Sequence, residues 1–96
     1  MKVRYTATSL IEIDQIFAYI AERNFQAAVV VRGRIEGTIA ALGDNPKMAQ
    51  LTDEAGVRRM PVRSSPYLIF YTVKGDEIVI LHVRHGARRY PWDEGV

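Results

Sequence analysis

The sequence contains no cysteine among its 96 residues. Disulfide frameworks, thiolate metal sites and cysteine nucleophiles are therefore excluded. No stretch approaches the roughly 18 consecutive apolar residues of a membrane span, and the first residues lack the apolar segment of a secretion signal. We therefore expect a cytoplasmic protein that has no contact with a membrane.

Motifs of common enzyme classes are also missing. There is no glycine-rich phosphate loop and no Gly-x-Ser-x-Gly nucleophile turn. The two histidines, His82 and His85, are three residues apart, which on a strand places them on opposite faces and disfavours a shared metal. Acidic pairs at 53–54 and 76–77 fall in predicted loops, where carboxylates are usually solvated. We therefore expect neither a metal nor another cofactor.

The length and composition fit one small globular domain, residues 1–96. Hydrophobic residues make up 48% and charged residues 25% of the chain, and the mean hydropathy is -0.08. These values differ from the low hydrophobicity and high net charge of disordered chains. A chain of this size has one modest core and depends on packing for its stability.

The first half predicts one strand and two helices. Residues 2–6 alternate in polarity and fit a short edge strand. Ser9 followed by Glu12 is a capping-box pattern, and the apolar spacing behind it predicts a helix near 9–23. A second apolar stripe predicts a helix over about 26–42, and the short connection makes the pair an antiparallel hairpin. The segment from 44 to 56 is expected to be a connector with loose structure.

Two glycines, Gly33 and Gly37, lie inside the second predicted helix. Each costs about 1 kcal/mol relative to alanine in a helix interior, so a compensating contact is expected. The favoured interpretation is that the first helix or a strand packs closely against this backbone. The alternative is that a partner chain does so.

The second half has the two-residue period of β-strands. Residues 57–62 form a short edge strand that contains Pro61. Residues 67–73 and 78–84 flank a Gly75-Asp76 turn and predict an antiparallel hairpin. Strict alternation would then give one face of the last strand these residues: Ile78, Ile80, His82 and Arg84.

The order of the elements predicts an α+β fold. An N-terminal strand precedes an antiparallel helical hairpin, which packs on one side of a mainly antiparallel sheet of about four strands. The last hairpin has apolar residues on both faces, so the second face must be partly covered by the tail or by a partner.

Positive charge is concentrated in the second half. Residues 1–55 contain six Lys and Arg against seven Asp and Glu, whereas residues 56–92 contain seven against two, a balance of +5. Arginine and aromatic residues interleave there, a composition typical of contact surfaces. The residues in question are Arg58, Arg59, Arg63, Arg84, His85, Arg88, Arg89, Tyr90 and Trp92. An anionic partner or an acidic protein surface is expected.

Three segments give the chain a resemblance to a known superfamily. They are Asp44-Asn45-Pro46 after the helices, the aromatic strand 67–73, and above all residues 80–88, with the sequence Ile-Leu-His-Val-Arg-His-Gly-Ala-Arg. Over essentially its whole length the chain resembles toxins of the RelE/ParE superfamily, the toxic halves of type II toxin-antitoxin pairs. The His-Gly-Ala-Arg ending resembles the ParE branch. The resemblance implies a compact, microbial-ribonuclease-like α+β fold.

In the ParE branch the usual target is DNA gyrase, which is trapped with its DNA cut. The resemblance therefore implies an inhibitor that acts by binding, without catalysis and without a cofactor. The surface that would contact the target consists of Arg84, His85, Arg88, Arg89, Tyr90 and Trp92.

The RelE branch provides the alternative function, a ribosome-dependent mRNA endoribonuclease. Cleavage by attack of the 2'-OH on the phosphate needs a base, an acid and cations near the nucleotide. Arg59 and Arg63 could hold phosphates, His85 could move a proton and Tyr90 could stack on a base. Cleaving members typically have an arginine where this chain has Gly86, which favours the ParE branch.

The resemblance also implies a cognate antitoxin, ParD-like or similar, as the main partner. A disordered antitoxin tail could fold onto the apolar surface that the domain leaves uncovered. Such antitoxins commonly dimerise, so an even-numbered hetero-oligomer is expected, and operator DNA would be contacted only through the antitoxin. The antitoxin contacts are expected to involve the first helix and the sheet, with the individual residues unassigned. A relative that binds its antitoxin without toxicity is a further alternative.

Overall fold

The computed structural model describes residues 1–93 and has the expected α+β architecture; residues 94–96 of the predicted domain lie outside the described residues. The sheet order is β1-β5-β4-β3-β2. β1 runs parallel to β5, and every other neighbouring pair is antiparallel. In chain order the elements are β1 (Lys2–Tyr5), α1 (Ala7–Ala21), α2 (Phe25–Asp44), β2 (Gln50–Leu51), β3 (Val57–Pro61), β4 (Tyr67–Lys74), β5 (Glu77–His85) and a 3-10 turn (Pro91–Asp93).

The prediction of about four strands missed β2. This strand has two residues, which pair with Arg58 and Arg59 of β3. It lies in the segment that the sequence predicts as a loose connector. Two residues are too few to show the alternation that identifies a strand from sequence.

Helix α1 begins earlier than the sequence suggested. Its N-cap is Thr6, whose hydroxyl accepts a hydrogen bond from the Ser9 N–H at 3.1 Å. Ser9 is fully buried, and its own hydroxyl donates to the Thr6 carbonyl at 2.8 Å. The predicted capping box of Ser9 and Glu12 is therefore wrong. Because the helix starts at Ala7, Glu12 lies further inside it and its side chain reaches the sheet instead of the cap.

The two helices form the predicted antiparallel hairpin. Three residues connect them, and the Asn24 side chain caps α2 by accepting the Ala27 N–H at 3.0 Å. An ion pair between Arg32 and Asp14, with 3.5 Å between Nη2 and Oδ1, joins the outer sides of the helices. Within residues 1–93, no helix is long and apolar enough to cross a membrane.

The main core lies between the helical hairpin and one face of the sheet. Tyr71 is fully buried there, and its hydroxyl donates to the Pro46 carbonyl at 2.7 Å, which ties the connector after α2 to the sheet. Burial raises the pKa of the Tyr71 hydroxyl. The buried members of this core are Ile13, Ile35, Ile39, Leu42, Ala49, Val62, Tyr67, Ile69, Tyr71, Ile78, Ile80 and Val83.

A β-bulge in β5 reverses the predicted face assignment. Tyr71 pairs with Ile80 but Phe70 pairs with His82, so Leu81 is an extra residue in the strand. Beyond the bulge the alternation shifts by one position. Val83 therefore joins Ile78 and Ile80 in the core. The expectation that His82 and Arg84 share the face of Ile78 and Ile80 is wrong for this reason.

The predicted close packing at Gly33 and Gly37 is also wrong. Both glycines are exposed on α2, and within residues 1–93 no atom lies within 4 Å of a Cβ built at either position. Neither helix α1 nor a strand approaches them. Their helix propensity cost is therefore not offset by a contact with the described part of the chain.

Candidate functional site

The C-terminal end of strand β5 is attached to helix α1 through the buried carboxylate of Glu12. Beyond Ile80 the pairing of β5 with β1 ends, and the Glu12 side chain reaches this strand edge from α1. One Glu12 oxygen, Oε1, accepts the Val83 N–H at 3.1 Å and lies 3.1 Å from Nδ1 of His82. The other, Oε2, accepts Nε–H of Arg84 at 3.1 Å. One side chain therefore contacts three consecutive residues of the strand.

Arg84 belongs to this buried network. Its side chain is 12% exposed and that of Glu12 is 11% exposed. A charged pair with so little solvent contact depends on good hydrogen-bond geometry, which the Glu12 carboxylate supplies. Arg84 was predicted to contact the target, but the structure places its guanidinium inside the fold, where it fixes the end of β5.

Two further arginines of the predicted patch also hold the fold together. Arg58 donates to the carbonyls of Ala49, at 2.7 Å, and Lys47, at 3.3 Å. It thus fastens the segment after α2 to β3. Arg59 donates from Nη1 to the Tyr90 hydroxyl and from Nη2 to the Gln50 amide oxygen, each at 3.2 Å. Both guanidinium groups are engaged with neighbouring parts of the chain.

An aromatic cluster covers the sheet face opposite the helices. Tyr90 and Trp92 follow β5 and pack on the buried Phe70 of β4, with ring centroids 5.4 Å and 5.6 Å from that of Phe70. Their own centroids are 5.1 Å apart. These arrangements are the edge-on and tilted geometries that aromatic rings prefer. This face was predicted to be partly covered by the tail or by a partner, and the structure shows that the tail covers part of it.

The remaining predicted residues gather at one end of the sheet. His85, Arg88 and Arg89 are exposed at and after the end of β5, and Arg63 is exposed in the turn between β3 and β4. The Gly86 N–H donates to the Pro66 carbonyl at 2.7 Å, which brings these two segments together. We call His85, Arg88 and Arg89, together with Arg63 of the adjacent turn, the cationic end.

His85 has a defined orientation in the cationic end. Its Nδ1 accepts the Ala87 N–H at 3.0 Å, so the neutral ring carries its proton on Nε2. The ring also makes an edge contact with Tyr67, with 5.8 Å between centroids. An imidazole in this orientation can present Nε2–H to a hydrogen-bond acceptor.

The four residues proposed for a nuclease do not form one site. Arg59 pairs with Phe70 on the face opposite the helices, and Tyr90 packs on that same face. His85 pairs with Tyr67, whose side chain belongs to the core on the helical face. The predicted proton carrier and the predicted base-stacking residue are therefore on opposite sides of the sheet, while Arg63 lies in a turn.

A groove runs between α1 and the end of the β4–β5 hairpin. Its volume is about 460 Å³. Ile16, Tyr19, Tyr67 and Val83 supply its apolar and aromatic walls, and Tyr19 is 60% exposed. Burial, with a smaller contribution from Tyr19, raises the pKa of the Tyr67 hydroxyl. We call this feature the α1–β5 groove; its remaining lining residues are Glu12, Gln15, Arg84, His85 and Arg88.

Sequence reasoning missed Glu12 and the α1–β5 groove. Glu12 was interpreted as a helix-cap partner because Ser9 precedes it by three residues. The signal that could have identified its role is an acidic residue on the apolar stripe of an amphipathic helix, next to Ile13 and Ile16, where a charge needs a buried partner. The groove depends on how α1 sits against β5, for which a single sequence carries no signal.

Comparisons with known proteins relate most of this chain to one family. Residues 3–90 match the family model described as the ParE toxin of the type II toxin-antitoxin system parDE. The chain is 30% identical over 90 residues to the Sinorhizobium fredii protein named "Putative toxin Y4kP", covering 94% of this chain and 93% of that protein. It also matches a solved structure titled "Chromosomal ParDE TA system from P. aeruginosa" with a TM-score of 0.80 and 22% identity, covering 88% of this chain and 95% of that one.

Proposed function

We propose that this chain, which belongs to the ParE toxin family of type II toxin-antitoxin systems, inhibits DNA gyrase in the cytoplasm by binding to it. The observation that carries the proposal is the cationic end. Exposed basic side chains are collected at one end of the sheet, next to a strand end that Glu12 fixes to α1. Because this strand end is held in place, less conformational entropy is lost when its contact residues become ordered on binding.

The chemistry of the cationic end suits a nucleoprotein target. Arginine forks bind phosphate and carboxylate groups through two parallel hydrogen bonds. Gyrase with its cut DNA offers both kinds of group. Arg88 and Arg89 are adjacent in sequence and exposed, so we assign them the main target contacts, with His85 beside them.

Tyr90 and Trp92 have a different role in this proposal from the one first expected. They pack on Phe70 and leave part of their surface exposed. The cluster anchors the segment that carries Arg88 and Arg89 to the sheet. We therefore assign the two rings to holding this segment in place, with any target contact coming from their exposed edges.

The division of the nuclease residues between two faces supports an inhibitor over an mRNA endonuclease. Cleavage needs a cation and a proton carrier within hydrogen-bond reach of one phosphate. Arg59 donates to Tyr90 and Gln50, and His85 pairs with Tyr67 on the helical side. We propose on this basis that the chain has no ribonuclease activity of its own.

A gyrase supercoiling assay tests the proposal. The purified chain is expected to inhibit supercoiling and to leave cut DNA covalently linked to gyrase. The double variant Arg88→Ala/Arg89→Ala should need at least tenfold more protein for the same inhibition. The matched control is Lys2→Ala/Lys74→Ala, which removes two exposed charges near Glu77 at the opposite end of the hairpin and should act like the wild type.

A translating lysate run in parallel tests the alternative. We expect transcripts to stay intact at toxin concentrations that stop supercoiling. Cleavage within codons that is lost in Arg63→Ala, together with unimpaired supercoiling, would show that the nuclease function is the right one. If Arg88→Ala/Arg89→Ala inhibits gyrase as strongly as the wild type, the cationic end is not the surface that contacts the target.

The proposed function includes neutralisation by a cognate antitoxin. The chain has exposed apolar residues on both helices, among them Ile11, Tyr19, Val29 and Val30, which a folding antitoxin segment could cover. We propose a hetero-oligomer in which operator DNA is bound only through the antitoxin. The free toxin should therefore give no specific shift with operator DNA, whereas the complex should give one.

A further inference from the structure

We propose that a second pocket, on the sheet face opposite the helices, binds a small organic cation with a guanidinium head and a short aliphatic chain. The pocket has a volume of about 380 Å³ and lies between the start of α1, the bulge of β5 and the tail. We call it the sheet-face pocket. It shares no lining residue with the α1–β5 groove or with the cationic end within the described chain. The site is therefore independent of the proposed function.

Apolar side chains make up more than half of the lining. Val57, Phe70 and Leu81 come from the sheet, and Pro91 and Trp92 come from the tail. The Trp92 ring packs on that of Phe70, with 5.6 Å between centroids. A mainly apolar pocket of this size with a few polar groups is typical of sites for small ligands. These side chains would cover the aliphatic part of the ligand.

His82 contributes a hydrogen-bond acceptor to the pocket. Its Nδ1 lies 3.1 Å from Oε1 of Glu12. An ionised carboxylate only accepts hydrogen bonds, so Nδ1 carries the proton of the neutral ring and Nε2 has a lone pair. Among residues 1–93, Nε2 has no hydrogen-bond partner, and the side chain is 25% exposed. The ring can therefore accept an N–H group from a ligand.

Glu54 contributes a carboxylate. It is exposed in the loop between β2 and β3 and lines the pocket. The loop backbone is held there, because the Glu54 carbonyl accepts the Val57 N–H at 3.1 Å and its N–H donates to the Thr52 hydroxyl at 3.2 Å. Its carboxylate has no ion pair or hydrogen bond with another described residue. It is therefore available to accept the two parallel hydrogen bonds of a guanidinium group.

The charge around the pocket favours a cation. No Lys or Arg is among the described residues that line it, although the whole chain has a net charge of +2. Asp53 and Asp93 are exposed and directly adjoin the lining residues Glu54 and Trp92 in sequence. Arg59, on the same sheet face, already donates to two neighbouring side chains. The N-terminus of α1 contributes about half a positive charge, which is less than the full negative charge of Glu54.

The combination of a tryptophan ring with two acceptors selects a guanidinium over an ammonium group. A guanidinium is planar and weakly hydrated, and it stacks on aromatic faces. It also has five N–H donors, so it can bind the Glu54 carboxylate and still donate to Nε2 of His82. An ammonium is a compact, strongly hydrated charge that loses more on leaving water for a largely apolar pocket.

The test follows the emission of Trp92, the only tryptophan in the sequence, as n-butylguanidine is added to the full chain. The ligand is kept at concentrations that leave the circular dichroism spectrum unchanged. We expect a saturable change in emission. n-Butylurea has the same shape without the charge and should bind at least fivefold more weakly. n-Butylamine keeps the charge without the planar head and should bind at least threefold more weakly.

Two variants of neighbouring carboxylates locate the site. Glu54→Gln should weaken n-butylguanidine binding at least fivefold. Asp53→Asn is the matched control, because Asp53 is exposed beside Glu54 but does not line the pocket, and it should stay within twofold of the wild type. Both side chains are exposed, so neither change disturbs the core.

Four results would overturn this assignment. An absence of any saturable change in emission would show that the pocket does not bind the cation. Equal affinity for n-butylurea or n-butylamine would refute recognition of a guanidinium head. Equal weakening by Glu54→Gln and Asp53→Asn would indicate a general electrostatic effect without a site. Binding of an arginine-containing tetrapeptide at least tenfold more tightly than n-butylguanidine would assign the pocket to an arginine side chain of a protein partner.

Discussion

Replacing Glu12 with alanine should destabilise the protein more than any surface substitution. The change removes the acceptor for the Val83 N–H and for Arg84, both at 3.1 Å. The Arg84 side chain is only 12% exposed, so water cannot fully replace the lost partner. Removing one member of a buried ion pair costs about 3–5 kcal/mol. A small domain has a total stability of about 5–15 kcal/mol, so the loss is a large share of it.

The assay for this prediction is thermal unfolding followed by circular dichroism. For a domain of this size, a loss of 1 kcal/mol lowers the melting temperature by about 4–8 °C, so Glu12→Ala should melt at least about 12 °C below the wild type. Asp14→Ala is the control on the same helix. It breaks the ion pair with Arg32, whose two side chains are 71% and 41% exposed, and should cost under about 1 kcal/mol.

A double-mutant cycle isolates the contact between Glu12 and Arg84. Single alanine variants at each position and the double variant should show a coupling of about 1–3 kcal/mol, since residues in contact couple by up to that amount. Additive effects, or a loss below about 1 kcal/mol for Glu12→Ala, would refute the view that this carboxylate holds the end of β5.

Three further predictions concern the glycines, the core tyrosine and the tail. Gly33→Ala and Gly37→Ala should each stabilise the chain by about 0.8–1 kcal/mol in thermal unfolding, because both positions are exposed and have open space around them. Tyr71→Phe should cost about 1 kcal/mol at pH 7 through the lost hydroxyl hydrogen bond. Burial raises the Tyr71 pKa, so the wild type should lose stability above about pH 10, where the unfolded tyrosine deprotonates, and Tyr71→Phe should lose less in that range. Trp92→Ala should cost about 1–3 kcal/mol in urea unfolding, because ring contacts with Phe70 add about 0.5–1.5 kcal/mol each to the area buried.

Each of these predictions has a contrary result. Destabilisation by either glycine substitution would refute the view that a methyl group fits at these positions without a clash. If the stability of Tyr71→Phe falls above about pH 10 as much as that of the wild type, the loss comes from Tyr5 and Tyr67, whose pKa values burial also raises. Unaltered stability of Trp92→Ala would mean that the tail is not docked on Phe70.

Most of the fold was predictable because its signals are local. The apolar spacing of α1 and α2 follows the helical period, and the turn at Gly75 joins two strands rich in β-branched and aromatic residues. Gly75 has a positive φ of 59°, as expected for a tight turn. These patterns need no knowledge of the rest of the chain. The predicted start of α1 was less accurate because both Thr6 and Ser9 are of a residue type that can cap a helix, and the structure uses Thr6.

The candidate site was only partly predictable because it depends on tertiary contacts. A single extra residue at Leu81 shifts the alternation of β5 and moves Val83 into the core. The bulge is held from outside the strand, since the Thr6 hydroxyl lies 2.9 Å from the Ile80 carbonyl and 3.2 Å from that of Leu81. Composition correctly indicated a basic second half, but it could not indicate which arginines the fold itself uses.

The charge of the second half therefore overstates the basic surface available to a target. Of its seven basic residues, Arg58, Arg59 and Arg84 bind other parts of the chain, and Lys74 lies at the opposite end of the hairpin. The remaining three, at positions 63, 88 and 89, are exposed at the end of the sheet where β5 finishes. Arg88 and Arg89 lie on the segment that follows β5. Tyr90 and Trp92 anchor this segment to the sheet, and the contact between Arg84 and Glu12 fixes its start. Under the proposed function Arg59 and Arg84 contribute indirectly. Arg59 donates to Tyr90 and Arg84 donates to Glu12, so both hold the segment from which Arg88 and Arg89 project.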